Sequence, residues 1–100
     1  MTTFSKDFIW GAATSGPQTE GNFHKQHQNV FDYWFETEPT AFDNGVGPDT
    51  ASDFYHDYEA DLALMSQAGI KALRTSIQWT RLIDDFETES LNEDGVAYYN

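Results

Sequence analysis

Apolar positions run together, then space out helically, then run together again along this chain, and the changes of period mark its elements. Phe8-Ile9-Trp10-Gly11-Ala12-Ala13-Thr14 is a short apolar run without alternation that stops at Ser15-Gly16-Pro17. It predicts a strand buried on both faces and ended by a turn. From Ala51 the apolar side chains fall at Ala51, Tyr55, Tyr58, Leu62 and Met65, the 4-3-4-3 spacing of one helix face. Thr50, followed by Asp53, is the predicted N-terminal cap, and Gly69 is placed to end the helix at C′. Ile70-Lys71-Ala72-Leu73-Arg74-Thr75-Ser76-Ile77-Gln78-Trp79 then lacks helical spacing and predicts a second strand.

Strand, helix and strand in that order form the crossover that joins parallel strands. The expectation is residues 8–13 beside residues 72–77, with a helix over roughly residues 53–68 packed across them. Val30-Phe31-Asp32-Tyr33-Trp34-Phe35 fits one or two helical turns. Residues 37–49 carry two glycines and two prolines and read as an irregular loop. Asn92, with Glu93 and Asp94 after it, starts a further helix that is expected to run into Asn100 without a stop signal. The fold class is α/β. A lone unit of this kind leaves sheet edges unpaired and helix faces uncovered, so residues 1–100 are expected to be part of a larger, truncated architecture.

Composition narrows the functional classes. The chain is 39% hydrophobic and 16% aromatic, which suits a globular fold, and it has no cysteine, so no disulfide can support it. At this size only somewhat over ~60% of the unfolded surface is buried on folding. Seventeen acidic against five basic residues give a formal charge of −12. That argues against nucleic acid, whose phosphates need clustered Lys and Arg, and against anionic membrane surfaces. The excess acid reads as a solvated surface. No apolar run reaches the ~18 residues of a membrane span. Met1-Thr2-Thr3-Phe4-Ser5-Lys6-Asp7 lacks the basic start and apolar core of a secretory leader, so a cytoplasmic location is expected.

Several residues could carry chemistry. Gln18 lies just past the first strand, where an amide can donate to one hydroxyl and accept from another; by position alone it is a solvent-exposed turn residue. Arg74 lies within an apolar strand and calls for a carboxylate partner, because an unpaired buried guanidinium is costly. Glu20 reads as a supporting residue and not as an acid or base. Asp53, Asp57 and Asp61 share one helical stripe, read as a solvated face. His24 and His27 lack a third ligand of evident geometry, and His56 reads as a surface histidine. Asp43-Asn44-Gly45-Val46-Gly47-Pro48-Asp49 is rich in oxygen donors but lacks the order and closing Glu of a calcium loop, and reads as a turn.

Four blocks together resemble glycoside hydrolase family 1. These are Phe8-Ile9-Trp10-Gly11-Ala12-Ala13-Thr14 with Gln18-Thr19-Glu20-Gly21, then residues 53–65, then Gly69-Ile70-Lys71-Ala72-Leu73-Arg74-Thr75-Ser76-Ile77-Gln78-Trp79-Thr80-Arg81, then residues 91–99. The resemblance implies a (β/α)₈ TIM barrel, of which residues 1–100 are the first βαβ portion and the N-terminal part of a single domain. It implies a retaining β-glycosidase whose acid/base and nucleophilic glutamates are expected beyond Asn100, so that these 100 residues alone hold no catalytic carboxylate and are inactive. Gln18 is then the residue that binds two hydroxyls of the sugar being cleaved, and Arg74 supports the nucleophile by keeping it ionised. No cofactor and no metal is implied. The sequence departs from the family where Leu82-Ile83-Asp84-Asp85 replaces the usual downstream proline, and at Gly16-Pro17.

Thr75 and Thr80 resemble the 6-phospho-β-glucosidase branch, so the expected substrate is a small β-glycoside, 6-phosphorylated if that branch is the right one. A neutral-sugar β-glucosidase or β-galactosidase is the alternative. A stand-alone carbohydrate-binding or interaction module is the alternative of another kind; it would need polar strand edges, and both strands read as buried.

Overall fold

The computed structural model describes residues 3–100. Met1 and Thr2, the first residues of the segment considered as a leader, lie outside them. Two short strands, β1 (Gly11–Ala13) and β2 (Ala72–Arg74), pair in parallel with Gly11 opposite Ala72, Ala12 opposite Leu73 and Ala13 opposite Arg74. The first strand is followed by a single-turn helix, α1 (Gly16–Thr19), and by α2 (Val30–Thr37). The long helix α3 (Phe54–Gln67) makes the crossover to β2. After β2 come α4 (Trp79–Leu82), the antiparallel pair β3 (Ile83–Asp85) and β4 (Ser90–Leu91), and α5 (Glu93–Tyr99).

The parallel βαβ expectation holds, with shorter strands. Ladder pairing covers three residues on each side, because only one neighbouring strand is there to pair with. Residues 76–79 are not strand. Gln78 is the extended residue that opens α4, so Trp79 is already helical. Neither strand is buried on both faces: Phe8, Ile9, Trp10 and Ile77 are exposed, since no element of residues 3–100 covers them. Correspondingly the radius of gyration is 16.4 Å, against about 13 Å for a closed domain of this length.

Four helix ends show how sequence sets local structure. At the end of α3, Gly69 adopts φ +88, its N–H bonds the Ser66 carbonyl and the Ile70 N–H bonds the Met65 carbonyl. This is the paired 5→2 and 6→1 closure that a left-handed C′ residue permits. At its start the expected Thr50 cap is absent. Asp53 is the cap residue, itself left-handed at φ 51, and Thr50 contributes only its carbonyl, to the Asp53 N–H at 2.8 Å. Asp53 spends its carboxylate on His56, 2.7 Å away. The expected final helix is α5, which runs to Tyr99 at the end of the segment, and Asn100 still gives its N–H to the Val96 carbonyl at 3.0 Å. In α2 Asn29 and Asp32 form a reciprocal capping box. Residues 37–49 contain two 3₁₀ turns, Pro39–Ala41 and Asp43–Gly45.

The predicted face of α3 turns toward β2 and α5 but packs loosely. Ala51 precedes the helix; of the predicted face Tyr58 and Leu62, with Phe54 beside them, line a cavity of about 120 Å³ with Leu73, Thr75, Tyr98 and Tyr99. Closer contacts are aromatic, with the Tyr98 ring tilted against Tyr55 at 5.0 Å and edge-on to Tyr58 at 5.5 Å.

Candidate active-site cleft

Beyond the C-terminal end of β1 the chain turns at once into α1, and this turn builds one wall of a cleft of about 440 Å³. Ser15, Pro17 and Gln18 line that wall; Phe31, Phe42, Val46, Gly47 and Pro48 line the other. Open α/β architectures gather their ligands at this end of the strands. The turn is held from β2. Thr14 N–H bonds the Arg74 carbonyl at 2.8 Å, Gly16 N–H bonds Ser76 Oγ at 2.8 Å, and the Thr14 and Thr75 hydroxyls meet at 3.1 Å. Gln18 is exposed, and its Oε1 accepts from Ser15 Oγ at 2.7 Å. The structure therefore stands the Gln18 amide in the cleft mouth, steadied by one local contact.

Among the described residues no Asp or Glu lines this cleft.

Arg74 is exposed at the end of β2, and no carboxylate of the described residues pairs with it. The partner that a buried strand arginine calls for is thus not in this segment. Burial instead falls on Arg81, 1% exposed, together with Glu20, also 1%. Arg81 Nε donates to Glu20 Oε1 at 2.9 Å, Nη1 to the Phe23 carbonyl at 2.6 Å and Nη2 to the Gly21 carbonyl at 2.9 Å. Its guanidinium also lies 4.2 Å over the Tyr55 ring. The Tyr99 hydroxyl lies 2.8 and 2.9 Å from the two Glu20 oxygens and accepts the Gln78 N–H at 2.8 Å. Burial pushes that hydroxyl well above the usual tyrosine range, and the adjoining Glu20 carboxylate pushes the same way. A carboxylate so fully engaged is a structural anchor, which matches the supporting role read for Glu20.

A second buried pair, Lys25 and Asp32, lies alongside. Gln78 joins the two: its Oε1 accepts from Lys25 Nζ at 3.1 Å and from Asn29 Nδ2 at 2.5 Å, while its Nε2 donates to Glu20 Oε1 at 3.2 Å. Sequence reasoning missed Lys25, Asn29, Asp32, Gln78, Arg81 and Tyr99. Only the Asn29-x-x-Asp32 spacing carried a readable signal, that of a helix cap.

The other candidates are dispersed. His27 Nε2 contacts the Asp84 carbonyl at 2.6 Å, and His24 stacks near Tyr55 and His56. Asp57 points to solvent, while Asp53 and Asp61 are partly covered. Among the described residues no three His, Asp or Glu side chains converge on one point. The Leu82-Ile83-Asp84-Asp85 departure becomes the β3–β4 hairpin. It is closed by Asp85 Oδ1, which accepts the Glu87 and Thr88 N–H groups, bonds that hold its carboxyl below the usual range.

The βαβ frame agrees with what the sequence blocks imply, and comparison with known proteins decides the family. The model of glycosyl hydrolase family 1 matches residues 1–100. The chain belongs to glycosyl hydrolase family 1. It is 42% identical over 99 residues to the 6-phospho-beta-glucosidase GmuD of Bacillus subtilis (strain 168), covering 97% of this chain and 21% of that protein. It is 39% identical over 99 residues to beta-glucosidase A of Acetivibrio thermocellus, covering 97% and 22%. Among solved structures, aphid myrosinase superposes with a TM-score of 0.86 at 33% identity, covering 99% of this chain and 22% of that one. The βαβ unit is therefore the first portion of a family 1 (β/α)₈ barrel, and the chain spans about a fifth of the length of the curated relatives it matches.

Proposed function

We propose that the protein carrying this segment is a retaining β-glucosidase that acts on 6-phosphorylated β-glucosides in the cytoplasm. The observation that carries the reading is the Gln18 amide standing on the cleft wall past β1 in a chain of this family. In a retaining site one carboxylic acid protonates the leaving oxygen and a carboxylate ~5–5.5 Å away attacks the anomeric carbon. Glu20 is engaged in its ion pair with Arg81, and the resemblance to the family puts both groups on later strands of the same barrel domain, beyond Asn100. Gln18 holds two hydroxyls of the sugar, which orients the anomeric carbon toward the nucleophile. Arg74, free of any carboxylate among the described residues, places its charge beside that nucleophile and keeps it ionised. The reaction needs neither cofactor nor metal.

Preference for the phosphorylated sugar is supported by Thr75 and Thr80 and by the likeness to the Bacillus subtilis enzyme. Similarity to beta-glucosidase A makes a plain β-glucoside the competing substrate. The test is kcat/KM of the full-length protein on 4-nitrophenyl 6-phospho-β-glucoside and on 4-nitrophenyl β-glucoside. A preference of at least about a hundred-fold for the former, equivalent to ~2.7 kcal/mol, is expected. Equal rates, or faster cleavage of the plain glucoside, would overturn the phospho assignment while leaving glycosidase activity intact.

A further inference from the structure

Gln78 occupies the cap position of α4, yet its side chain makes no capping bond. The amide turns instead into the space between the two buried ion pairs, and its two ends meet opposite chemistry. Donors surround the oxygen, from Lys25 and Asn29; an acceptor, Glu20 Oε1, faces the nitrogen. Neighbours of this kind fix which end is which, since the reversed amide would set donors against donors and an oxygen against a carboxylate. They also fix the residue type. A carboxylate here would oppose Glu20, an ammonium would oppose Lys25, and a shorter side chain could not span both pairs.

The two pairs belong to different walls of the cleft. Glu20 ends α1, which carries Pro17 and Gln18, whereas Asn29 and Asp32 form the first turn of α2, which carries Phe31. Gln78 also braces α1 directly, since a Cβ added at Gly16 would come within 2.5 Å of its Cγ. We infer that Gln78 is a positioning residue for the glycosidase reaction: it fixes the Gln18 wall of the cleft against the Phe31 wall and so holds the Gln18 amide in register with the sugar. The inference rests on Gln18 being a sugar ligand, as proposed above.

The experiment is a double-mutant cycle in the full-length protein, with kcat, KM and thermal midpoint measured for wild type, Gln18→Ala, Gln78→Met and the double variant on whichever glucoside is cleaved faster. Methionine keeps the length and removes all three side-chain bonds. Misplacing the sugar-binding amide should lower kcat/KM about ten- to a hundred-fold, with kcat falling along with affinity. Since Gln78 acts through Gln18, the double variant should be no slower than Gln18→Ala alone. A Gln78→Met enzyme equal to wild type, or a loss that persists undiminished in the Gln18→Ala background, overturns the inference. If Gln18→Ala itself matches wild type, the sugar-ligand reading falls; if Gln18→Ala is impaired and Gln78→Met is not, only the present inference falls. Should Gln78→Met fail to fold, Gln78→Asn keeps the amide but is one methylene too short to reach both pairs, and it is expected to show the same loss. Failure of both variants to fold assigns Gln78 to stability alone and overturns the positioning role.

Discussion

The polar node around Glu20 and the β1–β2 sheet are built on opposite terms. The node takes charge out of water and satisfies it within the segment: the Arg81 donors reach Glu20, Phe23 and Gly21, and the Glu20 oxygens meet Arg81, Gln78 and Tyr99. The sheet has apolar side chains and nothing to put them against. Ile9 is 64% exposed, and no apolar side chain among the described residues forms a buried core. The difference teaches where each part gets its shape. Ionic geometry around the cleft is self-contained, because hydrogen-bond partners are local and directional. The sheet is shaped by a core that other parts of a barrel must supply, because hydrophobic burial needs opposing surface. A buried ion pair adds little net stability over apolar packing, but breaking it by removing one partner is costly.

The comparison can be broken most severely by isolating the segment. A polypeptide of residues 1–100 alone is expected to show no cooperative thermal transition, to bind a hydrophobic dye strongly and to have no glycosidase activity. Calorimetry, dye fluorescence and hydrolysis of both nitrophenyl glucosides check this; a sharp transition would mean that the sheet needs no further cover. Next in size, Arg81→Met in the full-length protein strands the buried Glu20 carboxylate and should cost about 3–5 kcal/mol. Adding Glu20→Leu should recover a substantial part of that loss. Thermal midpoints of the single and double variants decide, and a double variant as unstable as Arg81→Met would show that the node contributes more than charge compensation.

A smaller effect is expected at Tyr99. Tyr99→Phe removes the bond to Glu20 and the acceptor of the Gln78 N–H, and should cost about 1–3 kcal/mol. Its pH dependence has a definite sign. Burial raises the folded-state pKa of this hydroxyl, so the contribution is complete below about pH 10, where an unfolded tyrosine holds its proton, and is lost as pH climbs beyond. Thermal midpoints from pH 8 to 11 should therefore fall more steeply for wild type than for Tyr99→Phe.

Periodicity makes the βαβ frame legible, since α3, Gly69 and the two apolar runs each have a local signature. Strand limits are not legible, because ladder length depends on neighbours outside the run. The α3 cap escapes for a related reason: Asp53 takes up a left-handed backbone, which its side chain's contact with His56 accompanies, and no sequence rule announces that. Gln18 stands out only through the family motif, since by position alone it reads as an exposed turn residue. The node is not visible, because Glu20 meets Arg81 and Tyr99 across 61 and 79 residues, a distance over which spacing rules carry no information. Arg81 is not legible for the same reason: Arg74 and Arg81 both have apolar residues close by in sequence, and only packing shows that Arg81 is the one buried and paired within this segment.

The central claim is that Gln18 contributes to catalysis and not to folding. It is tested most directly by kcat/KM and thermal midpoint for wild type and Gln18→Ala in the full-length protein, on the better of the two glucosides. Loss of one or two bonds to sugar hydroxyls should lower kcat/KM by roughly ten- to a hundred-fold, about 1–3 kcal/mol, with the midpoint unchanged because the side chain is exposed. A Gln18→Ala enzyme with wild-type kcat/KM would contradict the account.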